Sequence, residues 1–169
     1  MTLEERITRL EDIEAIRYLQ ARYQRCLDTR AFDEMAECMT EDVTSAYGNG
    51  SMSYDGRDAV IGFLRKAMTL DMPSSHLIHG GEIDILTPET ATAKWYLEDH
   101  LEHRKYLMKL HGAAIYNVNY RKCDGVWKIS SIGYERCYEL FELRGLINLL
   151  TLRKTTFLDR EKKRRKENR

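Results

Sequence analysis

Asp99 sits in a run that alternates apolar and polar residues: Ala91, Ala93, Trp95, Leu97, Asp99 and Leu101 on one side, Thr92, Lys94, Tyr96, Glu98, His100 and Glu102 on the other. Successive side chains of a strand point to opposite faces, so this carboxylate shares the apolar one. There it must be paired or hydrogen-bonded, or its pKa rises; the other reading puts Asp99 at the rim of the sheet, beyond the core. Asp28 falls at the end of a helical pattern, where unpaired carbonyls disfavour a carboxylate. It benefits there from a cationic or hydrogen-bond-donating partner, unless it is a solvated turn residue. His76 and His79 open an extended segment, and strict alternation sends them to opposite faces, so one of the two points inward unless Gly80-Gly81 breaks the register. Arg136 shares a face with Ile132, Tyr134 and Tyr138, either internal or snorkelling along the surface. With Tyr23, Tyr47, Tyr54 and Tyr134, these residues have reasons to meet in one cavity. Carboxylates, an imidazole, a guanidinium and phenols together suit proton transfer without a metal or a bound cofactor. No Gly-rich phosphate loop, HExxH or GxSxG run points elsewhere.

Such a set needs a scaffold, and the chain patterns one. Thr2-Leu3-Glu4-Glu5 reads as a capping box. Leu3, Ile7, Leu10, Ile13, Ile16, Leu19, Tyr23 and Leu27 then recur every three or four residues, predicting one long helix that ends near Asp28-Thr29. A short helix follows from Phe32 to Met39, an extended piece from Val43 to Tyr47, a turn at Gly48-Asn49-Gly50 and a strand from Ser51 to Tyr54. A third helix spans Asp58 to Met68. The period then changes to two, predicting strands at Ser75–Leu86, Ala91–Arg104, Met108–Lys122 and Val126–Tyr138. Thr87-Pro88-Glu89-Thr90 and Cys123-Asp124-Gly125 supply turns, and Gly80-Gly81 and Gly112 suggest bends that curl the sheet. Helices first and hairpins afterwards predict an α+β domain, residues 1–139, with helices covering one face of an antiparallel sheet. Leu140 to Leu158 reads as helical again, so residues 140–169 form a C-terminal helix and basic tail, packed on the domain or on a neighbouring subunit.

Composition narrows the function. The 169 residues are 43% hydrophobic and 32% charged, an ordinary globular mixture for one domain. Basic and acidic side chains balance at 27 each, so no global field favours nucleic acid or an anionic membrane. The run Arg160-Glu161-Lys162-Lys163-Arg164-Arg165-Lys166 lacks interleaved aromatics and reads as a solvated helix end. No apolar run reaches the roughly 20 residues of a membrane span, and the charged N-terminus is unlike a signal peptide. Cys26, Cys38, Cys123 and Cys137 follow no zinc-ligand spacing. Free thiols in a reducing cytoplasm are the expectation.

Several short runs carry a family resemblance. Asp12-Ile13-Glu14-Ala15-Ile16, Tyr23-Gln24-Arg25-Cys26-Leu27-Asp28, Trp95-Tyr96-Leu97-Glu98-Asp99 and Gly133-Tyr134-Glu135-Arg136 resemble SnoaL-like proteins of the nuclear transport factor 2-like superfamily. Among its eliminating enzymes the likeness is nearest to bacterial bile acid 7α-dehydratases, with scytalone dehydratases and hexachlorocyclohexane dehydrochlorinases further off. It implies a cone-shaped α+β barrel (a cystatin-like fold), its long N-terminal helix packed in a curved antiparallel sheet around an internal pocket. It implies that Tyr23, Asp28 and His76 are catalytic, and that Tyr47, Tyr54, His79, Asp99 and Arg136 bind substrate. In that scheme Asp28 orients His76, His76 removes a proton beside an activating carbonyl or conjugated system, and Tyr23 assists the departing hydroxyl. The implied activity is a cofactor-independent dehydratase acting on a small apolar cyclic or steroid-like substrate. A ketosteroid-isomerase-like proton shuttle with Asp99 or Asp28 as base, and a non-catalytic ligand-binding module, use the same fold. Relatives are often oligomers, and a homotrimer or homodimer is expected. The chain departs from the pattern in Glu102-His103-Arg104-Lys105-Tyr106-Leu107 and after Leu140, regions that shape the pocket mouth, so substrate identity does not transfer.

Overall fold

The computed structural model describes residues 1–103 and 106–143 in full and the backbone of 151–153. The Thr2 hydroxyl accepts from the Glu5 amide at 3.1 Å while the Glu5 carboxylate accepts from the Thr2 amide at 2.7 Å. That reciprocal pair starts helix α1, Leu3–Thr29. Its buried face begins only at Asp12 and continues through Ile16, Leu19, Gln20, Tyr23, Gln24 and Leu27. Leu3, Ile7 and Leu10 complete the apolar repeat but are exposed, and Arg9 ties these first turns to the Ile85 carbonyl at 3.3 Å. Asp12 is anchored across the fold by Trp127 Nε1 at 2.8 Å and Lys122 Nζ at 2.6 Å. Helix α2, Phe32–Glu37, is tied to α1 by Arg22 and Arg25, which reach Glu34 at 2.9 and 2.5 Å.

Strand β1, Met39–Tyr47, begins where the second helix was expected to end. Strand β2, Met52–Asp55, and helix α3, Arg57–Ala67, follow. Four long strands complete the sheet: β3 Ser74–Thr87, β4 Thr90–His103, β5 Met108–Cys123 and β6 Val126–Leu143. The order is β2-β1-β6-β5-β4-β3. All pairings are antiparallel except β1 with β6, which run parallel, so the sheet is mixed rather than purely antiparallel. A parallel seam needs a long crossover, and α3 with the β3–β5 meander supplies it. The sheet curls around the inner side of α1 and α3, and the resulting core holds Ile16, Tyr23, Met35, Val43, Leu97 and Ile132 among others.

The stretch from Leu140 departs from the helical expectation. Leu140–Leu143 continue β6, and Thr151–Arg153 form a short strand, β7, paired antiparallel with Leu140–Glu142. Period-2 pairing with a free strand edge outweighs a local apolar pattern that fits either structure. The rest of the expected helix and the basic tail lie outside the described residues.

Two irregularities decide which side chains face inward. Between His79 and Glu82, β3 takes one more residue than β4; Gly80 there has φ +60°, and Gly81 lies flat beneath the Trp95 ring, where a Cβ would come within 2.3 Å. Inward positions therefore change from His76 and Ile78 to Ile83 and Ile85. In β6 a second bulge pairs Ala114 with Arg136 but Ala113 with Tyr138. Arg136 faces in, Tyr138 faces out, and Glu139 faces in. Strict alternation puts Tyr138 on the same face as Arg136, and the bulge separates the two.

Candidate active site

α1 ends at Arg30, which adopts the left-handed conformation (φ 62°). Its guanidinium bonds the carbonyls of Leu27 at 2.7 Å and Asp28 at 2.9 Å, reaches the Met72 carbonyl, and donates to Ser74 Oγ at 2.9 Å. Those are the orphan carbonyls that make a helix end hostile to a carboxylate. Arg30 thus supplies the cation that Asp28 needs, one bond removed: Ser74 Oγ donates onward to Asp28 Oδ1 at 2.7 Å.

Asp28 also receives both donors of His76. The His76 amide bonds Oδ2 at 2.8 Å, and Nδ1 lies 2.6 Å from Oδ1. Burial pushes the Asp28 carboxyl up, but the bonds from the His76 ring and amide and from Ser74 outweigh it and hold the group below the ordinary carboxylate range. An ionised carboxylate can only accept, so Nδ1 carries a proton, and the neutral form of the ring then has its lone pair on Nε2. The imidazole side chain is only 7% exposed and lines an internal cavity of about 320 Å³. Asp28 stands behind the imidazole and is not itself a lining residue.

This arrangement has a consequence for stability. Because the folded-state pKa of Asp28 is depressed, its contribution is fully present above the unfolded value of ~3.9 and is lost as pH falls through the folded one. Urea denaturation at a series of pH values is therefore expected to show a steeper acid limb in the wild type than in Asp28→Asn. Parallel limbs would show that the carboxylate is not held in this way.

Elsewhere on the cavity wall Tyr23 and Tyr47 share a hydroxyl–hydroxyl bond of 3.1 Å, while Asp99 is the direct cross-strand partner of His76. Burial pushes both phenols well up, so they remain neutral donors. Tyr134 packs on Tyr47 with ring centroids 5.8 Å apart, and Tyr116 meets Tyr134 edge-on at 5.6 Å. Phe63, Met52 and Met68 supply apolar surface. Asp99 is 2% exposed and forms a fork with Arg136, Nη1–Oδ1 and Nη2–Oδ2 both 2.6 Å. Burial pulls the Arg136 guanidinium down, yet Asp99 more than restores it, so it stays cationic. Glu139 stands 3.5 Å from Arg136 Nε, and the guanidinium carbon lies 4.8 Å from the Tyr134 ring centroid. The Gly48-Asn49-Gly50 turn folds over this wall, Asn49 Oδ1 accepting from the Arg136 amide at 3.0 Å.

Gly112 lies between Asp99 and Glu139 across the sheet. A Cβ there would sit 2.8 Å from Arg136 Nη1 and 3.0 Å from Asp99 Oδ1. The expected result for Gly112→Ala is a loss of ~1–3 kcal/mol in urea denaturation, since the fork has no room to yield.

Tyr23, Tyr47, His76, Asp99, Tyr134 and Arg136 thus meet at one cavity, with Asp28 behind His76. Two sequence-predicted residues do not join them. His79 is exposed on the outer face of β3, as its odd spacing from His76 requires. Tyr54 lies one layer out, stacked on Phe63 at 4.4 Å. Sequence reasoning passed over Tyr116, Glu139, Ser74 and Arg30. Tyr116 was findable, since it alternates with Ala114 and Val118; the bulge hid Glu139, and no local signal marks an arginine for a left-handed cap.

Residues 8–132 match the family model for the SnoaL-like domain. A solved structure from Novosphingobium aromaticivorans DSM 12444, provisionally assigned as a scytalone dehydratase, superposes with TM-score 0.74 at 20% identity, over 89% of this chain and 95% of that one. Hexachlorocyclohexane dehydrochlorinase LinA-type3 from Novosphingobium barchaimii LL02 gives 0.73 at 18% identity, over 85% and 97%. An ntf2-like protein with a cystatin-like fold from Novosphingobium aromaticivorans gives 0.65 at 22%, over 78% and 86%. At such identities the likeness shows a shared fold. Among the described residues no helix is long and apolar enough to cross a membrane.

Proposed function

This chain belongs to the SnoaL-like family, and from that premise we propose that it is a cofactor-independent lyase that eliminates water from a hydroxylated cyclic substrate. The observation behind this reading is the His76–Asp28 contact at 2.6 Å on the cavity wall. With Nδ1 held by an ionised carboxylate, Nε2 is the base that removes a proton beside an electron-withdrawing group. Asp28 stabilises the imidazolium that forms, which returns the abstracted proton to the departing hydroxyl as water while the neutral Tyr23 phenol hydrogen-bonds that oxygen. Proton in and water out leave a new double bond with no net change of oxidation state.

The cavity sits near the bottom of the ~300–1,000 Å³ range of ligand sites and is lined mainly by aromatic and thioether groups. Both features favour a compact apolar ring system, steroid-like in character, over a flexible polar metabolite. The fork between Asp99 and Arg136 weakens the isomerase-like alternative in which Asp99 is the base, because both its oxygens are already engaged by the guanidinium. Asp99, the cross-strand neighbour of His76, and Arg136 are better suited to shape and polarise the wall beside the imidazole, and Tyr47 to orient Tyr23. Assembly as a homotrimer or homodimer goes with this reading.

The test is a panel of cyclic β-hydroxy ketones, hydroxylated steroids and chlorinated rings. Products are read by mass for lost water or hydrogen chloride and by ultraviolet absorbance for new conjugation. Elimination from a hydroxylated member is expected. Binding of ring compounds with no chemical change across the panel would leave a ligand-holding module of the same fold.

A further inference from the structure

The outer face of the sheet, away from the cavity, carries a second cluster that the elimination chemistry does not use. His100 and His111 are direct partners across β4 and β5, and their imidazoles stack with centroids 4.1 Å apart at 15°. Glu98 lies two positions before His100 on the same face. Its Oε1 stands 3.3 Å from His100 Nε2 and 3.2 Å from His111 Nε2, and one donor atom from each residue lies within 4.8 Å of the others. Tyr138, turned outward by the β6 bulge, meets the His111 ring edge-on at 5.9 Å.

We propose that Glu98, His100 and His111 form a binding site for a borderline divalent metal ion, with Zn²⁺ its natural probe. The geometry is the first reason. Zinc holds nitrogen and oxygen donors at about 2.0–2.1 Å, which puts neighbouring donors of a tetrahedral ion about 3.3 Å apart. The two nitrogen–oxygen separations already have that value, and the stacked rings need only rotate and splay from their 15° for both Nε2 lone pairs to converge on the ion. The donor set is the second reason: two imidazole nitrogens and one carboxylate oxygen suit Zn²⁺, Co²⁺ or Ni²⁺ and not the hard, oxygen-seeking Mg²⁺ or Ca²⁺. The scaffold is the third. All three ligands stand on paired strands inside the sheet, where the backbone is fixed by its ladder, rather than on a loop. Three protein donors leave a coordination position toward solvent, and the half-exposed side chains give the ion a path in. Asp99, between Glu98 and His100 in sequence, points the other way into the cavity. An ion here would clamp β4 and β5 at the level of the Asp99–Arg136 fork.

The experiment uses the full chain, stripped with EDTA, dialysed and titrated with Zn²⁺ against a chromogenic chelator. One Zn²⁺ per chain is expected. His111→Ala and Glu98→Gln, both at solvent-facing positions and checked for folding by circular dichroism, are expected to weaken uptake by at least the ~10–100-fold that loss of a mere supporting group costs. The Cys123→Ser/Cys137→Ser double variant removes the two partly exposed thiols and is expected to bind as the wild type does. No stoichiometric uptake by the wild type overturns the site. So does uptake that survives in His111→Ala, or that vanishes with the thiols.

Discussion

His76→Ala is expected to fold as the wild type does and to lose turnover by ~10²–10⁴-fold, the usual worth of a positioned general base. The fold survives because Asp28 keeps two of its three donors: the residue-76 amide at 2.8 Å and Ser74 Oγ at 2.7 Å, neither of which depends on the imidazole. What disappears is Nε2, the group on this wall poised to take a proton. Asp28→Asn should cost less, ~10–100-fold, since an amide can still orient the ring but no longer stabilises an imidazolium. The ordering His76→Ala below Asp28→Asn below wild type is therefore the signature of the dyad, read as kcat/KM on whichever panel substrate is eliminated. Full turnover in His76→Ala would end the dyad. Loss in Asp99 variants with His76→Ala unharmed would transfer the chemistry to the isomerase-like scheme.

The residues of that dyad show how far a sequence can be read. Asp28 and Asp99 were conspicuous because each broke a pattern: one sat at a helix end that repels anions, the other in the apolar phase of a strand. The patterns themselves come from periods of 3.6 and 2, which the chain repeats long enough to be unambiguous. Strand register was harder. His76 and His79 were separable in parity but not in absolute face, because the hidden variable is the residue inserted at Gly80-Gly81. The Cys137 bulge has no glycine to mark it, so alternation groups Tyr138 with Arg136 and leaves Glu139 unnoticed. The parallel β1–β6 seam lay deeper still, since it joins strands far apart in sequence and no local pattern says which edge the first strand takes. Arg30 is the extreme case: its left-handed backbone and its five acceptors are tertiary facts, and nothing in Thr29-Arg30-Ala31 announces them.

The largest stability effect should come from the fork beside the dyad, where Asp99 pairs with His76 across β3 and β4. Asp99 and Arg136 are 2% and 7% exposed, and the fork satisfies both carboxylate oxygens and two guanidinium nitrogens at once. Desolvating two charges is costly, and the pair repays that cost only while both members are present. Asp99→Ala leaves a buried cation facing Glu139 alone; Arg136→Ala leaves a buried anion opposite Gly112, with no other donor at its oxygens among the described residues. Each single variant is expected to lose ~3–5 kcal/mol in urea denaturation. Asp99→Leu/Arg136→Met, which replaces the fork with apolar groups of similar bulk, should recover most of that loss, and the cycle should give a coupling of several kcal/mol. The double variant also separates stability from chemistry. If it folds well yet binds ring compounds poorly, the fork polarises or shapes the ligand's seat; if it binds and turns over normally, the pair is there to hold β4, β5 and β6 in register. Single variants within roughly 1 kcal/mol of wild type, adding without coupling, would mean that solvent reaches the fork and the wall is not closed.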